Sequence, residues 1–116
     1  MNVQEKYQRL EDTVRQYNPG ANFDLIHAAF VYAEAHHRGQ NRKDGSPFIT
    51  HPLAVAQIVA QELHLDSESI AAALLHDTIE DTDATHEDIA RTFSPTIADI
   101  VEGVSKLTPS TISAMV

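Results

Sequence analysis

The sequence predicts an all-α bundle of about six helices joined by short loops. Three observations predict it. Apolar residues recur at helical spacing through most of the chain. No stretch alternates apolar and polar residues cleanly enough for a strand. Residues that start and stop helices fall at the ends of the periodic runs. The 116 residues (1–116) are read as one domain. A chain of this size buries about two-thirds of its unfolded surface, enough for one core without staples.

The elements follow in order. Residues 3–17 form a mostly polar helix closed by Asn18, Pro19 and Gly20. Residues 23–37 carry Leu25, Ala29, Phe30 and Ala33 on one apolar face, and Gly39 ends that helix. Residues 40–50 read as a loop holding Gly45 and Pro47. Pro52 suits a helix start, where its missing N–H has no intrahelical partner, and Leu53, Val55, Ala56, Ile58, Val59 and Ala60 follow. Asp66 or Ser67 caps a helix expected over 70–81, IAAALLHDTIED. Thr85 with Asp88 resembles a capping box for 86–93. Ser94 and Pro95 open a sixth helix reaching about Leu107.

Composition excludes several functions. The chain has no cysteine, so disulfides and thiolate metal sites are impossible, and a cytoplasmic location is expected. No apolar run approaches the ~20 residues that span a bilayer, and the polar N-terminus does not resemble a signal peptide. A formal charge of −9, with no basic recognition helix, argues against nucleic-acid binding. The charge is uneven. Arg38, Arg42 and Lys43 form a basic segment, while Glu80, Asp81, Asp83, Glu87 and Asp88 form an acidic one. They could serve an anion and a cation respectively, or be two solvated faces.

The segment around His76 carries the chemistry. Ile70 to Leu75 are six apolar residues in a row, the mark of a helix buried on nearly all sides. His76, Asp77, Glu80 and Asp81 follow at spacings that share one helical surface. Three carboxylates there repel one another, and burying them unpartnered is costly; a bound dication would relieve both problems. Imidazole with carboxylate suits Mn, Fe or Zn. A further ligand must come from another element, and His51, held before Pro52, is the best candidate. The plainer alternative is a solvated helix end, although acids there oppose the macrodipole. His27, His36, His64 and His86 are read as structural or surface residues.

Four stretches together resemble the hydrolase domain of RelA/SpoT homologues, within the HD superfamily: 35–43 (AHHRGQNRK), 45–53 (GSPFITHPL), 72–82 (AALLHDTIEDT) and 93–107 (FSPTIADIVEGVSKL). The resemblance covers residues 22–107, with order and spacing kept. It implies an HD-domain orthogonal helix bundle that removes the 3′-pyrophosphate from ppGpp or pppGpp with Mn²⁺ or another divalent metal. By motif position, His51, His76 and Asp77 resemble metal ligands. Glu80 and Asp81 resemble the catalytic acidic pair, and Arg42 and Lys43 the contacts to the guanosine nucleotide. His37, Gly39 and Gln40 fall at positions of mainly structural role. The metal would activate water, and Glu80 and Asp81 would orient it and carry protons.

The family's fourth metal ligand is an aspartate from a later helix, and the sequence ends at Val116 before it. Asp99 sits at a variable position and is not a substitute. Weaker metal binding is expected, as is homo-oligomer formation through apolar helix faces left uncovered. Two other functions remain open at this point: hydrolysis of a different nucleotide phosphate, and a catalytically impaired regulatory or dimerisation fragment.

Overall fold

Helix α4 (Ser67–Leu75) is the centre of the molecule. Each residue from Ile70 to Leu75 is buried, which is why this run contains no polar side chain. It packs against α2 (Phe23–His36), α3 (Thr50–Leu63) and α7 (Pro95–Ser105). The computed structural model describes residues 2–105. The other elements are α1 (Val3–Tyr17), α5 (Thr78–Asp81) and α6 (His86–Thr92). Helix α1 lies on α3, and α6 on α7. Leu10 and Val14 of α1, Ile26 and Phe30 of α2, Leu53 of α3, Ile89 of α6 and Val101 of α7 close one core around α4.

The caps explain the boundaries. Asn2 and Glu5 form a capping box for α1, and Thr85 and Asp88 form the expected one for α6. The Asp66 side chain accepts from the Ser69 amide and starts α4 at Ser67. Gly39, at φ +87°, takes the left-handed turn after α2 that a side chain would strain. Helix α3 begins at Thr50, two residues before Pro52, which still lies in the first turn where no amide donor is required. Leu107, the expected end of the last helix, lies outside the described residues.

The all-α class holds, and no strand occurs among the described residues. A lone bridge joins Asn41 to Pro47 within the 40–49 loop. One expectation needs correction. The helix foreseen over 70–81 is two helices, because the chain turns at His76 and Asp77. The His76 ring nitrogen Nδ1 bonds the Ala73 carbonyl at 2.6 Å, and the Thr78 hydroxyl donates to the Leu75 carbonyl at 2.7 Å. Side chains thus claim carbonyls that a continuing helix would use, and Asp77 adopts φ −94°, ψ −4°. Among the described residues, no helix is long and apolar enough to cross a membrane.

Candidate metal centre

The turn between α4 and α5 brings three predicted residues to one point. His76 is buried at the end of α4, Asp77 follows it at 17% side-chain exposure, and His51 projects from the first turn of α3 at 27%. Asp77 Oδ2 is 3.0 Å from His76 Nε2 and 3.3 Å from His51 Nε2. One ligand atom from each residue lies within 4.8 Å of the others. The two rings sit 5.4 Å apart, tilted by 59°.

The hydrogen bond from His76 to Ala73 sets the chemistry. A carbonyl only accepts, so Nδ1 carries the proton. In a neutral ring the lone pair then sits on Nε2, directed at Asp77 and toward His51. A carbonyl that fixes the tautomer and orientation of the ring in this way prepares a histidine for a metal. Without a metal, the electrostatics favour a proton in place of the cation. Burial of Asp77 opposes its ionisation, but hydrogen bonds and charge from His51 and His76 outweigh it and hold the carboxyl well below the usual range. Burial of His76 opposes protonation, yet the bond and charge of Asp77, the Ala73 carbonyl and the charge of Asp81 raise its pKa. The nitrogen lone pairs that share protons with Asp77 are those a dication would take. Two imidazoles and one carboxylate, pre-aimed at one point, fit a borderline divalent metal.

Glu80 and Asp81 do not join this buried group. The expectation of one buried acidic surface is corrected: Asp77 turns inward, whereas Glu80 and Asp81 stand exposed on the single turn of α5. Arg42 and Lys43 are exposed on the 40–49 loop and make no ion pair with the cluster among the described residues. The loop itself is well held. The Arg42 amide donates to the Ser46 carbonyl at 2.8 Å, the Gly45 amide to the Arg42 carbonyl at 2.9 Å, and Gly45 has φ +88°. Phe48 stacks on His37 at 4.6 Å and meets His51 edge-on at 5.9 Å, so the base of this loop is part of the wall of the centre.

Sequence reasoning missed the detail of His37 and Gln40. His37 is 2% exposed, and burial lowers its pKa against the opposing influence of Gln40, Asp77 and Asp81. Its Nδ1 lies 3.2 Å from Gln40 Oε1, and Gln40 Nε2 donates to the Asp81 carbonyl at 2.8 Å. A second imidazole–carboxylate group joins His86 to Asp99 at 2.9 Å and Glu102 at 3.7 Å on the exposed face of α6 and α7.

A family model described as "HD domain" matches residues 29–114. The chain is 49% identical over 98 residues to a "GTP pyrophosphokinase rsh" of Brucella melitensis, covering 84% of this chain and 13% of that protein. It is 46% identical over 101 residues to the "Bifunctional (p)ppGpp synthase/hydrolase SpoT" of Escherichia coli K12, covering 87% of this chain and 14% of that one. The chain therefore spans about one-seventh of the length of these curated relatives. A solved structure titled "A metazoan ortholog of SpoT hydrolyzes ppGpp and plays a role in starvation responses" superposes with a TM-score of 0.66 at 31% identity. That match covers 78% of this chain and 55% of the other.

Proposed function

We propose, from the premise that this chain belongs to the HD domain family, that residues 1–116 form part of a divalent-metal-dependent phosphohydrolase domain acting on ppGpp or pppGpp in the cytoplasm. The products are GDP or GTP and pyrophosphate. One observation carries the reading: the Ala73 carbonyl holds the His76 proton on Nδ1, turning Nε2 with His51 Nε2 onto one oxygen of Asp77. The relatives' printed names support the substrate.

His51, His76 and Asp77 would hold the cation, for which Mn²⁺ is the leading choice. When bound, it supplies Lewis acidity to water and to a phosphoryl oxygen. The chain's own residues do the rest. Glu80 and Asp81, solvent-facing beside the centre, orient water and accept or return its proton. Arg42 presents a planar guanidinium suited to a phosphate or a guanine face, and Lys43 adds a mobile positive charge. These two cations bring an anionic nucleotide to a protein of net charge −9.

Val31, Ile58 and Leu63, on α2 and α3, are large exposed apolar side chains on which self-association would draw. Light scattering over a concentration series tests that part of the reading.

The function is tested by incubating the chain with Mn²⁺ and ppGpp and measuring released pyrophosphate and GDP. Turnover abolished by a chelator and restored by Mn²⁺ is the expected result. Mn²⁺ binding without turnover of ppGpp, but with turnover of another nucleotide in a panel, moves the substrate assignment and keeps the hydrolase.

A further inference from the structure

Helix α5 is a single turn of four residues that carries both exposed acids, Glu80 and Asp81. Such a short helix has almost no stability of its own, because its nucleation is unfavourable and few bonds follow. Something outside it must hold it if its side chains are to keep a fixed position beside His51, His76 and Asp77. Thr78 is buried and Ile79 packs on the core, which secures the start of the turn. The end is secured differently.

Gln40, which follows Gly39 in the loop after α2, donates from Nε2 to the main-chain carbonyl of Asp81 at 2.8 Å, across 41 residues of sequence. That bond fixes which way the carboxamide faces: its Oε1 points back to His37 and can only accept. His37 Nδ1, 3.2 Å away, is therefore the donor. His37 is itself clamped, with its ring stacked on Phe48 at 4.6 Å and its α2 end anchored by the bond from its own amide to the Ala33 carbonyl at 2.9 Å. The order is unbroken: a buried ring orients a carboxamide, and the carboxamide holds the carbonyl at the last residue of α5.

We infer that His37 and Gln40 are positioning residues, a strut from the end of α2 that fixes the carbonyl of Asp81 and so sets Glu80 and Asp81 relative to the centre formed by His51, His76 and Asp77. This rests on the proposed hydrolase function for its effect on chemistry, but the strut itself is a property of the metal-free chain. Among the described residues the Gln40 side chain bonds His37 and the Asp81 carbonyl and none of the three candidate ligands, so its loss should spare metal binding while loosening the acids.

The test uses the whole chain with Gln40→Leu, which removes donor and acceptor at a half-buried position. Amide hydrogen exchange in the metal-free protein reads the strut directly. The Asp81 and Thr82 amides donate to the Asp77 and Thr78 carbonyls. Their exchange should accelerate by about tenfold or more, while amides of α4 stay within about twofold. Mn²⁺ affinity should stay within about threefold, and kcat on ppGpp should fall by about tenfold or more with KM changed by less than about threefold. His37→Asn keeps a donor close to the place of Nδ1 and should restore most of the protection lost in His37→Leu. Unchanged exchange at Asp81 and Thr82 in Gln40→Leu overturns the strut. Accelerated exchange with an unchanged kcat overturns its link to chemistry. A native chain that turns over no ppGpp counts against the proposed function alone, because the exchange result still decides the strut.

Discussion

Oδ2 of Asp77 lies 3.0 Å from Nε2 of His76 and 3.3 Å from Nε2 of His51, one oxygen facing two ring nitrogens from separate helical segments. Replacing that oxygen by an amide keeps the shape and removes the charge. Asp77→Asn should lower Mn²⁺ affinity by about 100-fold or more, beyond the usual 10–100-fold cost of losing an outer partner of a ligand. Titration calorimetry measures it, with circular dichroism verifying the helix content. Unchanged affinity would remove Asp77 from the centre.

The same pairing predicts how the metal-free chain responds to pH. The folded pKa of Asp77 is depressed, so its contribution to stability is present above the ordinary value of 3.8 and lost as pH falls below it. The folded pKa of His76 is raised, so its contribution is full below the ordinary value of 6.5 and lost as pH rises through the folded value. Thermal melts in chelator should therefore show a stability maximum between those limits, flattened in Asp77→Asn. Saturating Mn²⁺ should abolish the alkaline fall, because the cation takes the nitrogen that the proton occupied. A melt with the same alkaline fall in Mn²⁺ and in chelator counts against metal binding at His76.

Glu80 and Asp81 are exposed, so Glu80→Gln and Asp81→Asn should change folding stability by no more than about 0.5 kcal/mol. As proton-handling groups each should lower kcat by about 10²–10⁴-fold. Stopped-time assays of pyrophosphate release, alongside thermal melts, separate the two effects. A pair of variants with native kcat would leave Asp77 and the histidines as the whole reactive site.

In the proposed function Arg42 and Lys43, both exposed, contact the substrate and leave the fold alone. The double variant Arg42→Ala, Lys43→Ala should raise KM for ppGpp by about tenfold and weaken the salt dependence of kcat/KM, since exposed charges steer anionic ligands. Initial rates at several ionic strengths measure this. A KM that does not move places the nucleotide elsewhere.

Leu74 is fully buried at the middle of α4, where α2, α3 and α7 converge. Leu74→Ala should cost about 2–5 kcal/mol and lower the melting temperature, since the close-packed surroundings relax only partly. Denaturant titration gives the value. A cost under about 1 kcal/mol would mean that α4 is not the core.

The helices were legible because their signals are local. Asn18 to Gly20 close α1 where expected, Asp66 caps α4, and Thr85 with Asp88 caps α6. The buried run from Ile70 to Leu75 announced the central helix through its composition alone. His51, His76 and Asp77 were legible as a group because of ligand chemistry and motif order, and the fold brings them together. The break after Leu75 was not legible. It depends on two side chains, His76 and Thr78, each reaching back to a carbonyl three residues earlier, while helical periodicity runs on unchanged to Asp81. The bond from Gln40 to Asp81 was equally hidden, since no local pattern links residues 41 positions apart. The exposure of Glu80 and Asp81 matches the solvated helix end that the sequence left as the plainer alternative.

A crystal of the chain soaked in Mn²⁺ and recorded at the manganese absorption edge tests the centre most directly. One anomalous peak bonded to His51 Nε2, His76 Nε2 and a carboxylate oxygen of Asp77 is the predicted result. A map with no peak there, from crystals whose mother liquor holds saturating Mn²⁺, would contradict it.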